Sequence, residues 1–203
     1  MNNSSKHVLT IIIGISLIII ISAFGNELAN KSAPDNSRFV NYNISLGRLI
    51  DSLRINKDSL RLFIQKSKYT LSVTYKRRTI KSYPVVFGFN PVDDKLREGD
   101  GCTPEGVFHI KTKYPHKSWS KFIWIDYPNA DSWKKHNEAK ARGKIPANSK
   151  IGGEVGIHGV PKGYDYAIDL KMNWTLGCIS LKNKDIDEIY AFVTTKTLVE
   201  ITR

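Results

Sequence analysis

Two side chains in this sequence can do covalent chemistry together. One is Cys178, within Asn173-Trp174-Thr175-Leu176-Gly177-Cys178-Ile179-Ser180; the other is His158, within Ile157-His158-Gly159. A thiol attacks carbonyls as the thiolate, and at an ordinary pKa near 8.5 only about 3% is ionised at neutral pH. A histidine held beside it lowers that pKa by about two units or more, worth roughly 3 kcal/mol, and makes thiolate the main form. Gly177, directly before the cysteine, lets the backbone turn sharply and a carbonyl substrate come close. Backbone N–H groups at such a turn are natural donors to the oxyanion of a tetrahedral intermediate. Singly, each residue has a plainer explanation. Cys178 sits among Leu176, Ile179 and Leu181 as a small buried side chain would, and His158 can be an ordinary core or surface histidine. The five histidines show no metal-ligand spacing, so no metal is expected.

A fold must bring these residues together across the stretch that separates them. Leu71, Val73 and Tyr75 alternate with polar residues, and Phe63 to Gln65 does the same, as half-buried strands do. Lys76 to Thr79 is a polar turn, after which Ile80 to Phe89 resumes an extended pattern. Val107 to Lys111, Lys121 to Asp126 and Leu198 to Thr202 are further strand candidates. Gly99-Asp100-Gly101, Pro104 and Gly106 mark a loop between Phe89 and Val107. Leu46, Leu49, Ile50 and Leu53 fall at helical spacing, predicting a short amphipathic helix over Ser45 to Arg54 that packs on the domain. Asp131 to Arg142 reads as an exposed helix. Asn183 is placed to cap another, with Ile186, Ile189, Tyr190 and Val193 on its apolar side and acidic residues in its first turn. Several strands, few helices and no βαβ rhythm imply a mainly antiparallel sheet.

The first residues have a different character. Lys6 and His7 precede an apolar run from Val8 to Ala23, which reads as an export signal ending near Gly25 or as an uncleaved membrane anchor. Residues 26–60 then form a polar linker and the short helix, and 61–203 the main domain. Lysine and arginine number 31 against 19 aspartate and glutamate, a net charge of +12. In an exported protein that charge suits an anionic envelope polymer or membrane surface better than nucleic acid. The cationic residues are scattered, apart from Lys76-Arg77-Arg78, which also fits an ordinary solvated surface.

His158, the sixteen residues between it and Thr175, and then Thr175-Leu176-Gly177-Cys178-Ile179 are similar to the motif of the L,D-transpeptidase (YkuD-type) catalytic domain. Phe87-Gly88-Phe89-Asn90-Pro91, Lys95, Glu98-Gly99-Asp100-Gly101 and Thr103-Pro104-Glu105-Gly106-Val107-Phe108 resemble that family's first signature block. Phe122 to Asn129 and Lys150-Ile151-Gly152-Gly153 resemble one subgroup. The resemblance runs from about Leu62 to Ile201. It implies a mainly β, β-rich α+β fold, a mixed β-sandwich or barrel with a few short peripheral helices and Cys178 at the mouth of a cleft. It also implies an exported enzyme of the periplasm or cell envelope that acts on peptidoglycan stem peptides through a cysteine thioester, with no organic cofactor required. Cys178 would be the nucleophile and His158 the base, oriented by the Gly159 carbonyl. Thr175 fills the family's Ser/Thr position, and Gly177 with Cys178 would supply oxyanion donors.

The sequence departs from the pattern at two places. Many members carry His where this chain has Leu176, and Arg or Asn where it has Ser180. Hydrolysis as a carboxypeptidase or amidase, or peptidoglycan binding without turnover, are the alternatives these changes leave. A papain-type peptidase is set aside, because its thiol precedes its histidine in the chain. Cys102 reads as a surface loop thiol, with a reversible disulfide to Cys178 as the sharper alternative.

Overall fold

Alternation of apolar and polar side chains decides the first strands. In the computed structural model, which describes residues 36–203, Leu62 and Ile64 of β1 (Arg61–Gln65) and Leu71 and Val73 of β2 (Thr70–Tyr75) point into the core. A tight turn follows, with Lys76 and Arg77 both at positive φ, and leads into β3 (Arg78–Pro84). β4 (Gly106–His116) is longer than its alternation predicts, because its first half pairs with β8 (Leu198–Thr202) and its second half with β5 (Ser120–Ile125). A register shift between Ile110 and Thr112 marks the change of partner. Two short strands, β6 (Gly156–His158) and β7 (Ile179–Ser180), were hidden from periodicity by their length.

The strands form one mixed sheet in the order β3-β2-β1-β8-β4-β5-β6-β7. Pairing is antiparallel except for β1 with β8 and β6 with β7. The sheet is not closed, which corrects the barrel half of the expectation; the segment after β3 only bridges β7 at Val86 and Ser180.

Four helices flank it among the described residues: α1 (Leu46–Ser52), α2 (Ala130–Ala141), α3 (Tyr166–Asp169) and α4 (Asn183–Phe192). In α1 the Ser45 hydroxyl caps the Arg48 N–H, and Leu46 and Ile50 enter the same core as the strands. Asn183 does not cap α4. It is the first helical residue, and its Oδ1 accepts the Val160 N–H at 3.1 Å. The apolar run expected to be a leader lies outside the described residues.

Candidate active site

The last two strands place the chemistry. β6 and β7 run parallel, with Ile157 opposite Ile179 and His158 opposite Ser180, so Cys178 enters one residue before β7 beside Gly156. Cys178 and His158 line one cavity of about 810 Å³, together with Lys95, Trp119, Trp174 and Thr175. The structure therefore brings the sequence-predicted pair into one cleft.

His158 is almost wholly buried, at 1% exposure. Its Nδ1 lies 2.7 Å from the Gly159 carbonyl. A carbonyl only accepts, so Nδ1 carries the proton and Nε2 is left as the basic nitrogen. Trp119 stacks on the imidazole at 4.3 Å, Phe122 at 5.7 Å, and Trp174 meets it edge-on at 5.6 Å. The Gly159 carbonyl also accepts the Ser180 hydroxyl at 3.2 Å, while its N–H donates to Trp119 O at 3.0 Å. A Cβ on Gly159 would stand 2.1 Å from Asn183 Oδ1, so this junction has room only for glycine.

The cysteine turn is held from within. Thr175 Oγ1 donates to the Cys178 carbonyl at 2.7 Å and accepts the Gly177 N–H at 3.2 Å. Gly177 adopts φ +142, and a Cβ there would meet the Cys102 carbonyl at 2.6 Å. The first signature block thus packs directly beneath the turn. Thr175 is the turn's clasp. Because Gly177 gives its N–H to Thr175, that donor is engaged, which corrects the expectation that it is available to an oxyanion.

The electrostatics also differ from expectation. Burial pushes the Cys178 thiol up, against smaller opposing effects of the Gly156 N–H and the Lys95 charge. Burial pulls His158 down to about 4, outweighing its bond to Gly159. The orienting partner is a neutral carbonyl, whose hydrogen bond favours the imidazolium by less than burial disfavours it. Both shifts favour the neutral thiol and the neutral imidazole, and the thiol donates to the Glu154 carbonyl at 3.6 Å.

Lys95 is a site residue that sequence reasoning quoted only within a block. Its ammonium is buried, 2.8 Å from Asp100 Oδ1 and 3.3 Å from the Arg97 carbonyl. Asp100 also accepts N–H bonds from Leu96, Arg97 and Cys102. Burial favours the neutral Asp100 carboxyl, but Lys95 and those N–H groups together hold it below the usual carboxylate range.

Ser180 is fully buried and does not line the cleft. Leu176 is 74% exposed at the cavity lip. Cys102 is buried rather than a surface loop thiol; burial raises it to about 11, and its Sγ donates to Asp100 O at 3.4 Å. Both cysteines are free thiols. Among the described residues, no group of three or more His, Cys, Asp or Glu is placed to hold a metal ion.

Residues 59–201 match the L,D-transpeptidase catalytic domain (YkuD) family. The chain belongs to that family. Among solved structures it is similar to the helical cell shape determining protein Pgp2 from Campylobacter jejuni, at 20% identity and TM-score 0.52, covering 77% of this chain and 55% of that one. It is also similar to Bd1075 of Bdellovibrio bacteriovorus, at 17% identity and TM-score 0.51, covering 71% and 48%. The chain thus spans about half the length of these structures, and the likeness is one of fold. No curated protein matches it. The L,D-transpeptidase domain carries a general peptidoglycan connection.

Proposed function

We propose that this chain is an exported, cysteine-dependent L,D-transpeptidase acting on peptidoglycan stem peptides through a Cys178 thioester. The observation that carries this reading is the shared cleft of Cys178 and His158, with Nδ1 committed to Gly159 and Nε2 left basic. The apolar run from Val8 to Ala23 supports export to the periplasm or cell envelope, with the membrane as a partner if the run is retained.

The neutral resting pair sets the order of events. The donor stem displaces water around the thiol, and Nε2 takes the thiol proton as sulfur bonds to the carbonyl carbon of the third residue. The Cys178 N–H receives the developing oxyanion, while Thr175 keeps the turn closed. Collapse breaks the peptide bond, and the imidazolium returns its proton to the departing D-alanine amine. An amine of a second stem then attacks the thioester, gives its proton to Nε2 and restores the thiol.

Incubation of the purified protein with muropeptides tests the reading. Dimers joined between two third-position residues are expected. Shortened monomers alone would mean that water is the acceptor and the chain is a carboxypeptidase. No product, and no carbapenem adduct on Cys178, would leave a peptidoglycan-binding module.

A further inference from the structure

The cleft has a charge gradient that acyl transfer alone does not require. Glu98 and Glu154 line it and are exposed, whereas Lys95 lines it and is buried. Lys95 is the only lysine or arginine among the residues that line this cavity. Its Nζ lies 3.6 Å from where a Cβ on Gly177 would stand, one residue from the nucleophile. Two of its three N–H bonds are committed, to Asp100 and to the Arg97 carbonyl. Asp100 is itself shared among three backbone N–H groups, so its charge is spread away from the ammonium. An anion in the cleft therefore meets a cation with one donor to spare.

We propose that Lys95 is a specificity residue that binds the free carboxylate of the donor's terminal residue, so that the site accepts only stems ending one residue past the scissile bond. This inference rests on the acyl-transfer reading above. In such a donor the terminal carboxylate stands one residue from the attacked carbonyl, at most about 3.6 Å along the chain. A carboxylate at the inner end of the cleft takes the third Lys95 proton, with Asp100 and Arg97 O fixing the ammonium. The exposed Glu98 and Glu154 repel the same carboxylate from the mouth and favour amines there. A longer stem would have to place an uncharged peptide group against the buried cation and forfeit that pairing. Lys95 also favours the Cys178 thiolate, so the test must separate the two effects.

The probe is a stem tetrapeptide ending in D-alanine, prepared as the free acid and as the terminal carboxamide. Binding is measured by calorimetry on the Cys178→Ala protein, so the result does not depend on turnover. The free acid is expected to bind about 30-fold more tightly than the amide, and Lys95→Met in that background to bring the two within about threefold. Lys95→Arg should keep most of the preference, and it serves as the charge-preserving check if the Met variant folds poorly. On the catalytically intact protein, D-alanine should inhibit carbapenem acylation of Cys178 where D-alaninamide does not. Equal binding of acid and amide by the Lys95 protein would overturn the assignment. So would a Lys95→Met loss that falls equally on both ligands, since that is the signature of a purely structural cation. Failure of the parent reading looks different: acid and amide are discriminated, yet no muropeptide is turned over and no carbapenem adduct forms.

Discussion

Two buried polar regions of this molecule are built on opposite rules. At the seam between the N-terminal arm and α4, every charge has a partner: Tyr42 donates to Asp185 at 2.8 Å, Tyr83 to Glu188 at 2.7 Å, and Lys81 lies 2.8 Å from Glu188. The Leu46 N–H, at the start of α1, is also received by Glu188. In the cleft, His158 is buried as deeply and Cys178 is half-buried, neither with a counter-charge in contact, and a neutral carbonyl orients the ring. Pairing holds elements together. Its absence keeps a thiol and an imidazole neutral, ready to exchange a proton when a substrate supplies the charge.

The largest effects should separate the two regions cleanly. Cys178→Ala is expected to cut turnover by at least about a thousandfold while shifting the melting temperature by no more than about 2 °C. Glu188→Ala should do the reverse: it strands the buried Lys81 ammonium and two other donors, costing about 3 kcal/mol in urea unfolding. Turnover per folded molecule should stay within about twofold. A Glu188 variant that keeps its stability would break the contrast, as would a Cys178 variant that unfolds.

A pH series sharpens it, because the regions should respond with opposite signs in nearly the same window. His158 is pulled down to about 4, mainly by burial, against about 6.5 unfolded. Between those values the unfolded chain binds the extra proton, so this group costs roughly 3 kcal/mol as pH falls from about 6.5 to 4. Asp185 is pushed up to about 6, again mainly by burial. Between about 6 and 3.8 the folded protein binds the extra proton, so this group returns a comparable amount as pH falls. The two nearly cancel in the unmodified chain. Chemical denaturation of Asp185→Asn should show a steeper acid loss, and His158→Gln a gain; parallel curves for the two variants would refute the assignment.

What the sequence made legible follows from how locally each feature is encoded. Leu198 to Thr202 was read with the observed bounds, because alternation along one strand needs no knowledge of its neighbours. Motif spacing singled out Cys178 and His158, and the β6–β7 register brings the two to one cleft. The two-residue strand β7 was not, since two residues carry no period. Asn183 misled because a residue suited to capping was recruited by a tertiary contact, the Val160 N–H. Burial works against the thiolate expectation for the same kind of reason. Residue types announce a Cys–His pair, but the rings of Trp119, Phe122 and Trp174 packed around His158, whose burial pulls it down, are tertiary contacts that no local pattern encodes.

The smallest expected effect concerns Ser180, and it tests whether orientation in the cleft depends on a single carbonyl. That carbonyl, Gly159 O, accepts from both His158 Nδ1 and the Ser180 hydroxyl. Ser180→Ala removes one donor, leaves the other and adds no bulk, so stability should fall by only about 1 kcal/mol. With its second donor gone, the carbonyl is freer to swing, and the ring it orients swings with it. Turnover should therefore drop by about five- to tenfold, with KM nearly unchanged because Ser180 is fully buried and does not face the cleft. A rise in KM without a fall in kcat would mean that Ser180 acts on substrate after all. Restoration of turnover by Ser180→Thr, whose hydroxyl can reach the same carbonyl, would tie the effect to the hydrogen bond rather than to packing.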